Sequence, residues 1–567
     1  MRAIEFKNVS FRYEDMPEPV LKNASFSLEY GRLALLYGDS GQGKSTVLSI
    51  LSGVIPNVTK GTLSGEVRIG GEDVSGQRIS DICRRAGVVL QNADAQIIHQ
   101  RVEDELAFGC ENFAFSPEKI GGCIEKACDR MALCPQWGTR TLSGGQKQRL
   151  ITASALTTEQ KILLLDEPLA NLDPATGKQA IELIDTIQQK TDTTVLIIEH
   201  RLEDVLWRSV DRIVLVNDGR ILADLHPDEM LSGSLLTENG IREPLYLTAM
   251  RYAGIDITPE KHPAHIDSVA LDGADTARLQ TWFKAEPLPA PKPTPAPLLE
   301  VKNLSFGYSK DQHTLSDVSF TIGRGEMVSI VGRNGAGKST LSKLICGFET
   351  PDCGEIWFDG KNLKGENIRR RARHIGYVMQ NPNQMISKTM IFDEVAMGLQ
   401  GIGLSEDEIR ARVEETLKIC GLYPFRNWPI SALSFGQKKR VTIASVLVQH
   451  PELIILDEPT AGQDFRHYTD IMEFLRGLNA KGVTVVMITH DMHLMLEYTP
   501  RALAFCDGRL IADRSAAAIL CDPALIEQAA LKETSLYTLA NRCGIAPAED
   551  FVERFIAADR EVRADGC

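Results

Sequence analysis

The chain has 567 residues, of which 43% are hydrophobic and 24% are charged, a composition typical of globular domains. Its formal net charge of −14 argues against nucleic acid as the main partner, because nucleic-acid-binding surfaces are usually basic. No apolar run is long enough to cross a membrane, the N-terminus predicts no signal peptide, and the 12 cysteines lack the paired spacing of a zinc site.

The first elements of the chain predict a phosphate-binding loop between a strand and a helix. Alternating segments at residues 3–8 and 24–29 predict an antiparallel β layer, and the apolar run at residues 33–37 predicts a buried strand. The loop that follows contains Gly38, Asp39, Ser40, Gly41, Gln42, Gly43, Lys44, Ser45 and Thr46. Its glycines allow main-chain N–H groups to surround a triphosphate. In this pattern the lysine contacts the terminal phosphates and the serine hydroxyl binds Mg²⁺.

One such loop could arise by chance, but the pattern occurs again about 290 residues later, again between an apolar run and a helical segment. The second loop contains Gly332, Arg333, Asn334, Gly335, Ala336, Gly337, Lys338, Ser339 and Thr340. Two copies in matching settings exclude chance and predict two nucleotide sites.

The remaining landmarks are duplicated in the same order. Each half has a glutamine after an apolar run, then a pentapeptide that begins with Leu-Ser and ends with Gly-Gln, then an Asp-Glu pair, then a histidine. They are Gln91 and Gln380, residues 142–146 and 433–437, Asp166–Glu167 and Asp457–Glu458, and His200 and His490. The acid pairs end apolar runs that alternate with helical patterns, which predicts an α/β fold with a buried parallel sheet in each half.

The duplication predicts two ATPase domains, residues 1–230 and 298–520, each with an antiparallel β layer and a helical insert. A related sequence that begins at Glu243 and again at Glu533 predicts a helical C-terminal appendage for each domain, at residues 231–285 and 521–567. Residues 286–297 have proline at every second position, which opposes helix and sheet pairing. This segment is predicted to be a semi-extended linker of roughly 30 Å at most.

The ordered motifs resemble those of the ATP-binding cassette (ABC) family over nearly the whole chain apart from the linker and the appendages. The resemblance implies two tandem nucleotide-binding domains with a RecA-like core, ATP and Mg²⁺ as cofactors, and ATP hydrolysis. In this family the two domains pack head to tail, so that each nucleotide lies between one phosphate loop and the opposing pentapeptide. Lys44 would then work opposite Ser434, Phe435, Gly436 and Gln437, and Lys338 opposite Ser143, Gly144, Gly145 and Gln146.

The resemblance also implies a role for each remaining motif residue. The Mg²⁺ ligands would be Ser45, Gln91 and Asp166 in the first domain and Ser339, Gln380 and Asp457 in the second. Glu167 and Glu458 would polarise the attacking water, His200 and His490 would contact the γ-phosphate, and Gln91 and Gln380 would contact the metal and the water. Tyr13 and Tyr308 would stack on adenine. Asp173 and Asp464 would lie at the interface between the domains.

Two departures distinguish the halves. Phe435 replaces the first glycine of the second pentapeptide, but the second glycine, which approaches the phosphate most closely, is retained as Gly436. We therefore expect both sites to hydrolyse ATP. Residues 461–464 differ from residues 170–173, so the two sites need not work at equal rates.

The segments after Gln91 and Gln380 resemble those of the ATPase subunits of energy-coupling factor (ECF) importers. In that family the segment lines a groove that receives coupling helices of a membrane T component, and a membrane S component captures a micronutrient. The solutes are vitamins, their precursors or transition-metal ions, and the ATPase is peripheral on the cytoplasmic face of the cell membrane. The acidic residues expected to face the T component are Glu103, Asp104, Glu105, Asp393 and Glu394.

The alternatives are an ATPase of another ABC transporter type and a soluble tandem ABC protein of translation. A translation factor would carry a charged helical arm and a basic balance, and an ABC protein of DNA repair would show zinc-binding cysteine pairs or long coiled coils. The proline linker and the acidic charge argue against a translation factor. Importers of the ordinary binding-protein-dependent type often have one impaired site, whereas both sites here keep their full residue sets. No residue of such an ATPase contacts the solute, so the sequence does not identify it.

Overall fold

The computed structural model describes residues 2–14, 16–170, 172–285, 288, 295–309, 313–460 and 465–565. The chain forms two compact units, Met1–Trp282 and Phe283–Cys567. Most of the predicted linker and the predicted interface residue Asp464 lie outside the described residues.

The strands of the first unit form two sheets. They are β1 (Arg2–Tyr13), β2 (Leu21–Glu29), β3 (Leu33–Tyr37), β4 (Gly61–Ile69), β5 (Glu72–Asp73), β6 (Ala86–Val89), β7 (Ile162–Asp166), β8 (Thr194–Ile198), β9 (Arg212–Asn217) and β10 (Arg220–Leu225). An antiparallel sheet has the order β2-β1-β4-β5, and a larger sheet has the order β10-β9-β3-β8-β7-β6. The larger sheet is parallel from β9 to β6.

The helices of the first unit surround the parallel sheet and form the insert and the appendage. They are α1 (Lys44–Leu51), α2 (Val54–Asn57), α3 (Ile79–Ile82), α4 (Ala93–Gln96), α5 (Val102–Asn112), α6 (Pro117–Met131), α7 (Gly144–Thr157), α8 (Pro174–Thr191), α9 (Leu202–Val205), α10 (Pro227–Ser232), α11 (Leu235–Glu238), α12 (Leu245–Tyr252) and α13 (Gly273–Lys284).

The second unit repeats both sheets. Its strands are β11 (Pro297–Phe306), β12 (Leu315–Gly323), β13 (Met327–Gly332), β14 (Cys353–Phe358), β15 (Lys361–Asn362), β16 (Ile375–Val378), β17 (Leu453–Asp457), β18 (Thr484–Ile488), β19 (Arg501–Cys506) and β20 (Arg509–Arg514). The orders β12-β11-β14-β15 and β20-β19-β13-β18-β17-β16 match those of the first unit strand for strand.

The helices of the second unit follow the same plan. They are α14 (Lys338–Cys346), α15 (Ile368–Arg371), α16 (Ile391–Ala396), α17 (Glu406–Ile419), α18 (Phe435–Leu447), α19 (Phe465–Ala480), α20 (Met492–Tyr498), α21 (Ala516–Leu520), α22 (Pro523–Ala529), α23 (Ser535–Arg542) and α24 (Ala548–Asp565). Both repeated appendage segments are helical, as predicted, because they form α12 and α23.

The cores explain why the apolar runs become central strands. In the first unit one cluster joins the antiparallel sheet to α1 and the parallel sheet through residues such as Phe6, Val47 and Leu196. A second cluster joins α5, α6 and α7 through Val102 and Leu150. Strand β3 is buried along its whole length, as a strand covered on both faces must be. This architecture confirms the predicted fold class.

No helix in the described parts of the chain is both long enough and apolar enough to cross a membrane.

Candidate functional site

The first phosphate loop joins the carboxyl end of β3 to α1. Lys44 is buried, and its Nζ donates hydrogen bonds to Gly38 O (2.6 Å) and Asp39 O (2.7 Å). Gly38 has a φ of 151°, and a Cβ atom there would lie 2.2 Å from Val216 O, so only glycine fits. The main chain of the loop therefore surrounds the Lys44 ammonium group, at the carboxyl ends of the parallel strands.

The second phosphate loop has the same geometry. Lys338 Nζ donates to Gly332 O (2.6 Å) and Arg333 O (2.9 Å). Gly332 has a φ of 140°, and a Cβ atom there would lie 2.1 Å from Phe505 O. The duplication seen in the sequence is thus a duplication of the loop conformation.

The Asp-Glu pairs lie where β7 and β17 end, beside these loops. Glu167 and Glu458 have φ values of 44° and 47°, in the left-handed region that non-glycine residues rarely adopt. Their N–H groups donate to Ile198 O (2.8 Å) and Ile488 O (2.9 Å) on the neighbouring strands. This backbone turn directs each glutamate away from the strand that carries it. Strained backbone of this kind is a feature of functional sites.

Burial and the adjacent glutamate control the ionisation of both aspartates. Burial and the neighbouring Glu167 raise the pKa of Asp166 to about 6, and Lys44 partly opposes them. Burial and Glu458 likewise raise the pKa of Asp457, against the hydrogen bonds that it accepts from Ser339 and Tyr377. Two adjacent, partly desolvated carboxylates beside a serine hydroxyl form a donor set that suits a hard divalent cation.

In the first unit Gln91 and His200 both lie beside Glu167. Gln91 Nε2 donates to Glu167 Oε2 at 2.6 Å. His200 Nδ1 lies 3.7 Å from Glu167 Oε1 and 3.2 Å from Glu199 Oε1, and neither contact has hydrogen-bond geometry. Burial disfavours the charged form of His200, but the carboxylates of Glu199 and Glu167 outweigh it and raise the pKa of His200. Against the effect of burial, His200 and Lys44 lower the pKa of Glu167.

The second unit has a closer pairing of histidine and glutamate. His490 Nδ1 lies 2.7 Å from Glu458 Oε1, within hydrogen-bond distance. Glu458 is 9% exposed, and Thr489, which is fully buried, takes the place of Glu199. The Thr489 Oγ1 accepts a hydrogen bond from Asp491 N (3.0 Å). In the second unit Glu458, predicted to orient water, is therefore paired with the histidine predicted to contact the γ-phosphate, with no carboxylate at the position of Glu199.

The predicted adenine-stacking tyrosines contact the helices that follow the phosphate loops. Tyr13 Oη lies 3.0 Å from Thr46 Oγ1, and Tyr308 Oη lies 3.4 Å from Thr340 Oγ1. Each ring packs edge-on against the phenylalanine two residues earlier, with ring centroids 4.9 Å and 5.0 Å apart. Tyr308 is 56% exposed, which leaves its ring accessible to a base.

The pentapeptides form the N-terminal turns of α7 and α18. Ser143 and Gln146 cap α7 reciprocally, since Ser143 Oγ accepts from Gln146 N (3.3 Å) and Gln146 Oε1 accepts from Ser143 N (2.8 Å). Ser434 and Gln437 cap α18 in the same way. Phe435 replaces a glycine without disturbing this box, and its side chain is 43% exposed. Asp173 caps α8 by accepting from Thr176 N (2.9 Å).

Two of the acidic residues expected to face a membrane partner do not do so. Glu105 is 4% exposed, and its Oε2 accepts from Ile98 N (2.9 Å) and His99 N (2.8 Å). Glu394 is 2% exposed and accepts in the same way from Ser387 N and Lys388 N. The expectation was wrong for this pair, because each carboxylate secures the loop before its own helix. The neighbouring Asp104 and Asp393 are exposed, and Glu103 is half-buried beside Arg101.

Sequence reasoning also missed three buried polar residues: Glu199 and Lys439, which interact electrostatically with the acid pairs, and Gln148, which occupies the position of Lys439 in the first unit. Helical spacing could have found two of them, since Gln148 and Lys439 lie on the same face as buried apolar residues of α7 and α18. Glu199 immediately precedes His200 at the end of a fully buried strand, and that position was the available signal.

Comparison with known proteins identifies the family. Residues 21–170 and 315–461 match the family model described as ABC transporter. A relative from Enterococcus faecalis, described as an ABC transporter ATP-binding protein, is 52% identical over 564 residues, which is 99% of this chain and 99% of that protein. The chain belongs to the ABC transporter ATP-binding family. As an ABC ATPase it is the ATP-hydrolysing subunit of a transporter.

Further similarities involve the appendage and a smaller protein. Residues 233–306 match a family model described as ATP-binding cassette cobalt transporter. A relative of this ABC ATPase from Clostridium perfringens is 51% identical over 566 residues, covering 99% of each chain. Among solved structures, cbiO1 from Clostridium perfringens, part of the ABC transporter complex cbiONQ, is 34% identical, with a TM-score of 0.39. That match covers 43% of this chain and 99% of cbiO1.

Proposed function

We propose that this ABC ATPase is the energy-coupling subunit of an ECF-type importer. It works with membrane T and S components at the cytoplasmic face of the membrane, and its cycle drives uptake of a vitamin, a vitamin precursor or a transition-metal ion. The match of residues 233–306 to a model named for cobalt transport supports this assignment.

The observation that carries the proposal is a matched apolar surface beside both glutamine segments. Trp137 is 38% exposed, and its carbonyl accepts from Val102 N (3.1 Å) at the start of α5. Trp428, at the equivalent place, is 47% exposed, and its carbonyl accepts from Ile391 N (3.3 Å) at the start of α16. Ile98, before α5, and Met397, directly after α16, are exposed as well. Exposed tryptophans are typical of protein interfaces, and coupling helices of a T component fit such a surface.

The proposal gives each unit the same hydrolytic roles. Lys44 and Lys338 bind the terminal phosphates, Glu167 and Glu458 orient the attacking water, and His200 and His490 contact the γ-phosphate. Ser45 with Asp166, and Ser339 with Asp457, hold Mg²⁺, which neutralises phosphate charge when bound. Gln91 hydrogen-bonds to Glu167, so it is placed to relay a change at that glutamate to α4 and α5.

The proposal includes head-to-tail pairing of the units within one chain. Each phosphate loop would then be completed by the opposing pentapeptide, whose capping box presents main-chain N–H groups at a helix N-terminus. ATP binding closes the two units and hydrolysis releases them, which moves the membrane partner between states.

The proposal is tested by co-expression with membrane proteins of the T and S classes. We expect a detergent-stable complex, and replacement of Trp137 and Trp428 by serine should reduce its recovery by about tenfold, since buried tryptophans dominate interface energies. Leu222→Ser is the matched control, because Leu222 is a comparably exposed apolar residue (41%) on β10.

Two results would contradict the proposal: no complex with a T-like protein, or equal loss of complex in the control. ATP-dependent uptake into proteoliposomes that contain the complex should disappear in a Glu167→Gln, Glu458→Gln double variant.

A further inference from the structure

A buried lysine contacts the main chain of the segment that follows β16 and carries Gln380. Lys439 lies on α18, two residues after the pentapeptide, and is 1% exposed. Its Nζ donates to Met379 O (2.9 Å) and to Gln380 O (2.7 Å). These are the first residues after β16, so the ammonium group holds the main chain of the segment that carries Gln380.

The same ammonium group faces the acid pair of its unit. Burial lowers the pKa of Lys439 to about 8, and the carboxylates of Asp457 and Glu458 act in the opposite direction. Burying a cation costs free energy unless carbonyls and carboxylates compensate it, and both are present here. A residue whose burial needs so much compensation is a candidate for a specific task.

The first unit does not have this arrangement. Its equivalent residue is Gln148, which is 7% exposed, and in the described chain its Nε2 is buried without a hydrogen-bond partner. In the first unit an exposed ion pair connects the pentapeptide helix α7 to the segment after Gln91 instead. Lys147 Nζ, on α7, lies 2.6 Å from Asp94 Oδ1, on α4. The second unit has neutral Asn383 at the position of Asp94, so it lacks the carboxylate for that ion pair.

We propose that Lys439 is a positioning residue for ATP hydrolysis in the second unit, because its side-chain nitrogen fastens the Gln380 segment to α18 on the side of Asp457 and Glu458. The inference rests on the proposed roles of Gln380 and Glu458. It assigns the two units different internal connections between the pentapeptide helix and the glutamine segment: an exposed ion pair in the first and a buried lysine in the second.

The test uses the full chain with Glu167→Gln, so that hydrolysis depends on Glu458. Adding Lys439→Gln, which copies Gln148, should lower kcat by about tenfold while the KM for ATP changes by less than about twofold. In the nucleotide-free protein, amide exchange of residues 379–386 should accelerate by about tenfold or more relative to the rest of the second unit. Lys438→Gln is the matched control and should change neither quantity.

Lys439→Met, which conserves volume, serves as the second variant if Lys439→Gln does not fold, and the same results are expected. The inference is overturned if kcat stays within about twofold of its parent, or if exchange is unchanged or rises uniformly across the unit. The exchange measurement does not depend on hydrolysis. An error in the assignment of Glu458 would instead appear as undiminished activity in the Glu167→Gln, Glu458→Gln double variant.

Discussion

The two units share the strand order of both sheets and the order of their motifs, yet the charged residues around their acid pairs differ. In the first unit the buried carboxylate of Glu199 lies 3.2 Å from His200, and the residue behind the glutamine loop is neutral Gln148. In the second unit Thr489 replaces Glu199 and Lys439 replaces Gln148. These two replacements add two formal positive charges, but Asp491 stands in place of Arg201, which lies 3.9 Å from Glu199, so the charges around the second acid pair are rearranged rather than increased. A duplicated fold can therefore preserve the reacting groups while their electrostatic environment diverges.

The largest effect should come from removing both water-orienting glutamates. The Glu167→Gln, Glu458→Gln double variant should hydrolyse ATP at least about 100-fold more slowly than the parent, because no carboxylate remains to accept the proton of water. Steady-state phosphate release measures this. The two single variants should retain unequal activities if the charge difference matters. Equal activities of the two single variants would show that the different charges around the acid pairs do not affect hydrolysis. Normal turnover in the double variant would refute the assignment of Glu167 and Glu458.

A smaller effect, on stability, should appear when Asp166, whose pKa is raised, is replaced by asparagine. Burial of a carboxylate whose pKa is about 6 disfavours the folded state wherever the unfolded aspartate is ionised. This cost is absent below the pKa of the unfolded residue, grows as pH rises to the folded pKa, and is constant above it. Asp166→Asn should therefore stabilise the nucleotide-free protein by roughly 1–3 kcal/mol at pH 7.5 and by little at pH 4.

Denaturant unfolding in chelator across this pH range measures the effect. Asp129→Asn, at an exposed position of α6, provides a control aspartate. A stabilisation by Asp166→Asn that did not depend on pH would contradict the electrostatic explanation.

Glu199 tests the histidine side of the comparison. Because Glu199 and Glu167 raise the pKa of His200 above its unfolded value, protonation of His200 stabilises the fold fully below about pH 6.5. This stabilisation disappears as pH rises through the folded pKa. Relative to the parent, Glu199→Gln should therefore be less stable at pH 6 than at pH 9 by about 1 kcal/mol. Thermal unfolding at the two pH values measures the difference, and an equal shift at both would exclude the proposed pairing.

The smallest effect is expected at Phe435. Its side chain is exposed and the capping box of α18 is intact without its participation. Phe435→Gly, which restores the residue found in the first pentapeptide, should change the rate of ATP hydrolysis by less than about threefold. A larger increase would show that the second pentapeptide is impaired by this substitution, and would sharpen the distinction between the sites.

The motifs were predictable because each is local in sequence. A strand, a glycine loop and a lysine are contiguous, and so are the acid pair and the end of its strand, so their conformations follow from short segments. The burial of Glu105 and Glu394 was predictable only in part. Both lie on the helix face of Val102 or Ile391, but their hydrogen-bond partners belong to preceding loops.

The contacts of Lys439 could not be read from the sequence, because they join residues about 60 positions apart. The same holds for Gln91 and Glu167, whose contact crosses the sheet from the end of β6 to the end of β7. The sequence placed these residues in motifs, whereas the direction of each side chain depended on tertiary packing.

The central claim is that each unit completes the nucleotide site of the other, and one activity measurement tests it directly. In a Glu458→Gln chain only the site of Lys44 and Glu167 should hydrolyse ATP, and the proposed pairing completes that site with the pentapeptide at Ser434. Adding Ser434→Arg should lower the remaining activity by about 20-fold or more, while adding Ser143→Arg should change it by less than about twofold. The reverse pattern, or equal losses, would contradict the account.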